Sequence, residues 1–92
     1  MEFTLKAEGT SGAYEYVKEG EHLAEITWQL KDGVMHMDHT YVSNELRGQG
    51  VAKKLLDEAA NYAREQDYKM NALCSYVVAE FEKSDEYNDV KA

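Results

Sequence analysis

Apolar and polar residues alternate along the first forty-two residues of this chain, and the period then changes. Phe3, Leu5 and Ala7 alternate with polar neighbours, as in a half-buried strand. Glu8 to Gly12 contains glycine and serine and reads as a hairpin loop. Ala13 to Lys18 makes a second strand with Tyr14 and Tyr16 on one face. Gly20 turns the chain into a third, where Ala24, Ile26, Trp28 and Leu30 share a face. Asp32-Gly33 suits a two-residue hairpin turn, so Val34 to Val42 returns as the fourth strand. After Ser43 to Leu46 and a glycine turn the period becomes helical. Val51, Leu55, Ala59 and either Tyr62 or Ala63 form one stripe of a helix over Gly50 to Gln66, with Asp57, Glu58, Asn61, Arg64 and Glu65 towards solvent. Lys69 to Cys74 reads as a fifth strand and Ser75 to Lys83 as a second helix, while Tyr87 and Val90 pin the acidic tail. The order is α+β: an antiparallel four-stranded meander, a helix, a fifth strand and a C-terminal helix. A right-handed crossover sets the fifth strand parallel to the fourth.

Size and charge narrow the function. Ninety-two residues make one domain, 1–92, with one modest core. A net charge of −8 argues against a nucleic-acid partner, which needs a basic surface to neutralise phosphates. No apolar run approaches the roughly 20 residues that cross a bilayer, so no membrane partner is expected. The opening residues lack the basic and apolar regions of a secretory signal, and one cysteine cannot form an internal disulfide. Both point to the reducing cytoplasm. Charge is unevenly spread: Arg47, Lys53 and Lys54 lie around the glycine turn with no acid among them, and acids dominate from Glu80 onward. One reading is a solvated acidic surface; the other is an anionic ligand at the basic turn and a cationic acceptor near the acidic remainder.

The candidate chemistry begins at Arg47-Gly48-Gln49-Gly50-Val51-Ala52. A helix N-terminus leaves amide N–H groups unpaired and carries partial positive charge, which suits a phosphate. Glycines there let the backbone approach it. A dinucleotide fingerprint is excluded because position 53 is lysine, and a Walker loop because no Gly-Lys-Ser/Thr follows. Cys74, the only thiol, stands where a strand meets a helix: either an inert buried cysteine or one given thiolate character by the helix dipole. His36 and His39 invite a metal reading, but a spacing of three on a strand sends the two rings to opposite faces, and no metal is expected.

Arg47-x-x-Gly50-x-Ala52, with His39-Thr40-Tyr41-Val42 before it and Cys74-Ser75-Tyr76-Val77 after the helix, resembles the small single-domain branch of the GCN5-related N-acetyltransferases (GNAT). The resemblance covers roughly Gly20 to Val90. It implies the minimal GNAT fold, acetyl-CoA as cosubstrate, and a primary amine, small molecule or protein lysine, as acceptor. It also implies that strands four and five splay apart and that the pantetheine arm pairs with strand four. Tyr41, Val42, Arg47, Gly48, Gln49, Gly50, Val51, Ala52 and Lys53 are the implied cofactor-binding positions, with an amide near Tyr41 or Val42 as oxyanion donor. The implied catalytic positions are Cys74 beside the thioester, His39 as base and Tyr76 as acid towards the departing thiolate. Each keeps a bland alternative, a buried thiol, a core histidine and a packing tyrosine. Strand alternation points Asp38, the other base candidate, away from His39, a parity that a bulge breaks. The chain departs from many relatives in having no glutamate between Asp32 and Asn44 and no helices between the first two strands. An open acceptor site follows. The alternative function is a non-catalytic acyl-CoA-binding or protein-interaction module, docking through the acidic tail.

Overall fold

Three two-residue turns build the meander. The computed structural model describes residues 1–92 and shows β1 (Thr4–Glu8), β2 (Ser11–Lys18), β3 (Glu21–Lys31), β4 (Val34–Val42), α1 (Val51–Gln66), β5 (Lys69–Ala72) and α2 (Ser75–Lys83). Glu19 and Gly20 have φ of 52° and 81°, and Asp32 and Gly33 52° and 78°, the paired positive values that match hairpin twist. The sheet order is β1-β2-β3-β4-β5, antiparallel except for the parallel β4–β5 pair. This is the expected α+β GNAT arrangement.

Both helices join one core cluster with Ala24, Ile26, Trp28, Met35, Met37 and Met70 of the sheet. They cover one face. Leu55, Leu56, Ala59, Ala60 and Ala63 of α1 are fully buried, which settles the stripe on Ala63; Tyr62 is half-buried beside Trp28 and Tyr14. Each buried Leu or Ile contributes about 1.5–3 kcal/mol through burial. Gly12 lies directly under Trp28, so a Cβ there would overlap the indole. The opposite face carries no helix.

The structure corrects the sequence reading at three places. β1 is an edge strand with all five residues exposed, Leu5 among them, and only Phe3 before it is half-buried, edge-on to Tyr16. β5 ends at Ala72 and not Cys74, because the N–H groups of Leu73 and Cys74 both donate to the Met37 carbonyl (3.0 and 2.8 Å) and the ladder stops. The acidic tail is not a loose segment but a packed one whose acids remain exposed. Tyr87 and Val90 are buried, Arg64 holds Asp89 (2.7 Å), Lys53 holds Glu86 (3.2 Å), and the Met70 N–H donates to the Val90 carbonyl at β5's outer edge.

The third correction concerns strand parity. In β3 Tyr16 pairs with Ala24 and Val17 with His22, so Leu23 is an extra residue; in β4 Thr27 pairs with His39 and Trp28 with Met37, so Asp38 is extra. Each bulge shifts the alternation by one. Asp38 and His39 therefore both point to the uncovered face, where Thr27 donates to Asp38 (2.5 Å) and His39 meets Glu25. His36, also on that face, lies beside Asn71 (3.1 Å), so the expected opposition of His36 and His39 is overturned as well.

Candidate active site

The glycine turn enters α1 with nothing blocking its amides. A 3₁₀ turn, Asn44–Leu46, leads in, capped by the Ser43 hydroxyl accepting from the Glu45 N–H (3.3 Å). Gly48 (φ 82°) and Gly50 (φ 69°) take left-handed conformations that favour glycine, and a Cβ at either would meet only open space. Gly50 is the N-cap of α1; no side chain caps it and no acid stands in the first turn. The first intrahelical bond is Lys54 N–H to Gly50 carbonyl (3.1 Å), leaving the amides of Val51, Ala52 and Lys53 without backbone acceptors. Arg47 and Gln49 are exposed beside them. This donor set, neutral or positive and unobstructed, fits a pyrophosphate. At Lys53 only the backbone N–H is free, since its ammonium is held by Asp57, Glu86 and the Tyr87 hydroxyl.

Past the turn's strand the sheet opens. β4 and β5 pair from Val34↔Lys69 to Met37↔Ala72 and no further. Asp38 to Val42, which includes Tyr41 and Val42, therefore has no partner strand on that side, as a splayed pair requires. Cys74 stands at the wedge. It is the N-cap of α2 and half-buried, and its thiol lies 3.5 Å from the Thr40 hydroxyl. Burial pushes the thiol up, but the Thr40 hydroxyl and the amides of Val77, Tyr76 and Thr40 outweigh it, and the net pKa lies below the ordinary thiol value.

The other two catalytic candidates have other partners in this structure. Tyr76 donates its hydroxyl to Glu80 (2.9 Å); burial, then that bond, raises its pKa well above the ordinary phenol value. Glu80 is buried and takes Lys83 on its other oxygen (3.2 Å). His39 is exposed on the uncovered face, its Nε2 3.3 Å from Glu25, and shares no hydrogen bond with Cys74 or Tyr76. Thr40 and Glu25 are the two site residues that sequence reasoning missed. Glu25 sits on β3, so a search for an acid along strand four passes it by. Thr40 meets Cys74 from 34 residues earlier in the chain, a contact that no local pattern shows.

A family model of the GCN5-related N-acetyltransferases matches residues 13–90. The chain belongs to that family. A GCN5-like candidate N-acetyltransferase from Staphylococcus aureus is 39% identical, with 97% of this chain and 87% of that one covered and a TM-score of 0.73. Larger neighbours share the fold alone. The ribosomal-protein-alanine N-acetyltransferase of Brucella melitensis is 24% identical at TM-score 0.62, over 90% of this chain and 62% of its own. The ribosomal-protein-S18-alanine N-acetyltransferase of Escherichia coli is 14% identical at 0.66, over 83% and 52%. Among curated proteins no relative matches. As a member of the family the chain is an acyltransferase, and no helix in it is long and apolar enough to cross a membrane.

Proposed function

We propose that residues 1–92 act as one catalytic domain that moves an acetyl group from acetyl-CoA to a primary amine through Cys74. One juxtaposition carries this reading: a thiol of lowered pKa at the N-terminus of α2, beside the strand edge that β5 leaves open. The glycine turn, the free amides of Val51, Ala52 and Lys53 and the Arg47 guanidinium hold the pyrophosphate, and Tyr41 and Val42 offer backbone groups to the pantetheine arm. Cys74 attacks the thioester carbonyl as its thiolate; the new C–S bond forms as the bond to the CoA sulfur breaks, and CoA departs as thiolate. Tyr76 is the candidate to protonate it, on releasing its bond to Glu80. The amine then attacks the acetyl-cysteine, regenerating the Cys74 thiolate, and His39 on the uncovered face takes the amine's proton. The uncovered face suits an amine displayed on a larger molecule. A single thiol is consistent with work in the reducing cytoplasm.

Intact-protein mass spectrometry after incubation with acetyl-CoA, beside calorimetric titration with CoA, tests the proposal. Wild type gains one acetyl group, lost in Cys74→Ala while CoA binding persists. Gly50→Glu, which puts bulk and negative charge at the cradle, loses CoA binding. Binding without acetylation of Cys74 overturns the covalent route and favours direct transfer or a non-catalytic CoA-binding module. Normal CoA binding by Gly50→Glu overturns the cradle.

A further inference from the structure

The uncovered face holds three side chains, Glu15, His22 and Glu25, that the acyl-transfer reading does not use. Glu15 on β2 and Glu25 on β3 are direct cross-strand partners on that face. Two like charges so placed repel, and no lysine or arginine pairs with either; their only ionic partners are histidines. Both carboxylates are about three-quarters removed from solvent, with side-chain exposures of 23% and 24%. His22 reaches between them, its Nε2 3.1 Å from one oxygen of Glu25 and 4.0 Å from Glu15. It gets there only because the Leu23 bulge turns it onto the face of Glu25; on a regular strand a spacing of three would separate them. Tyr41 stacks flat on the imidazole, ring centroids 6.1 Å apart and planes 8° from parallel, which fixes its orientation.

We propose that Glu15, His22 and Glu25 bind one zinc ion. Their donor atoms lie within 4.8 Å of one another, so modest closure brings all three to one centre. Ligands at about 2.0–2.2 Å in tetrahedral array stand roughly 3.3–3.6 Å apart, and the His22–Glu25 separation of 3.1 Å is already near that. A site with one imidazole and two carboxylates suits zinc better than the all-oxygen preference of magnesium or calcium. Three protein ligands leave a fourth position open to water. His39 completes the arrangement from β4: the Asp38 bulge brings its Nε2 to 3.3 Å from the other oxygen of Glu25, where it stands behind the ligating carboxylate as an outer partner. The ion resolves the repulsion of the facing glutamates. The spacing argument against His36 and His39 does not bear on it, since neither is a proposed ligand.

The test is calorimetric titration of zinc chloride alone into the full chain, stripped with EDTA, at neutral pH in a non-chelating buffer. Wild type takes up one equivalent with micromolar or better affinity. His22→Ala and Glu15→Gln, both on the solvated face and checked by circular dichroism, lose that binding. His39→Ala weakens it by about tenfold or more, and His36→Ala and Cys74→Ser leave it unchanged. Absence of saturable binding by wild type overturns the proposal. Binding that survives His22→Ala, or that disappears with Cys74→Ser, overturns it too by placing the metal elsewhere.

Discussion

One hydroxyl and a few amides hold the Cys74 thiol below its ordinary pKa against burial, and these can be separated. The Thr40 side chain is the largest influence lowering the thiol pKa. Thr40→Val keeps the branched shape and removes the hydroxyl. Alkylation by iodoacetamide, followed across pH, should then show a midpoint displaced upward, towards the free-thiol value of about 8.5. An unmoved midpoint would assign the whole effect to the amides of Val77, Tyr76 and Thr40. At this scale the sequence was most readable where chemistry follows from chain position alone. Cys74 opens a helix and Gly50 precedes one, and both fall where local pattern puts them. Thr40 and Glu25 matter because of what lies across a gap or on a neighbouring strand, and no local pattern records that.

Among elements, the meander, both helices and the parallel strand were legible, because apolar period and turn chemistry agree along the chain. The two bulges were not. A bulge conserves composition and changes only count, so strand alternation applied across it assigns every later side chain to the wrong face. Hence Asp38 and His39 turned out to share a face. The tail was half-legible: its apolar anchors could be read, but its charge partners on α1 could not. Those partners make a prediction. The Ser84 hydroxyl and then Lys53 hold Glu86 below the ordinary carboxylate range, and Arg64 does the same for Asp89. Carboxylates with depressed folded-state pKa values stabilise the fold above the unfolded-state range, and that contribution is lost as pH falls through the lowered values. Arg64→Ala should therefore lower the Tm at neutral pH, by less in high salt because these pairs are exposed. The difference from wild type should shrink towards about pH 3. A constant difference across that range would mean that Arg64 acts through packing.

Across the whole molecule, the pairings differ in how far they reach along the chain. β1 to β4 close through two-residue turns, whereas Val34 meets Lys69 only after all of α1 has intervened. Longer closures cost more chain entropy and form later. The β4–β5 pair is also short, four residues in register, with Leu73 and Cys74 sharing one carbonyl at its end. Native-state hydrogen exchange should find the amides of Leu73 and Cys74 opening at lower free energy than those of Ile26 and Trp28 in β3. Equal protection would show the sheet to be one cooperative unit. If the order holds, the wedge that separates the two strands is the last joint to close as the chain folds and the first to loosen in the native state. A molecule that pairs with β4 there then acts as the missing stretch of strand. Its arrival would be felt as slowed exchange along β5 and α2, far beyond the atoms it touches.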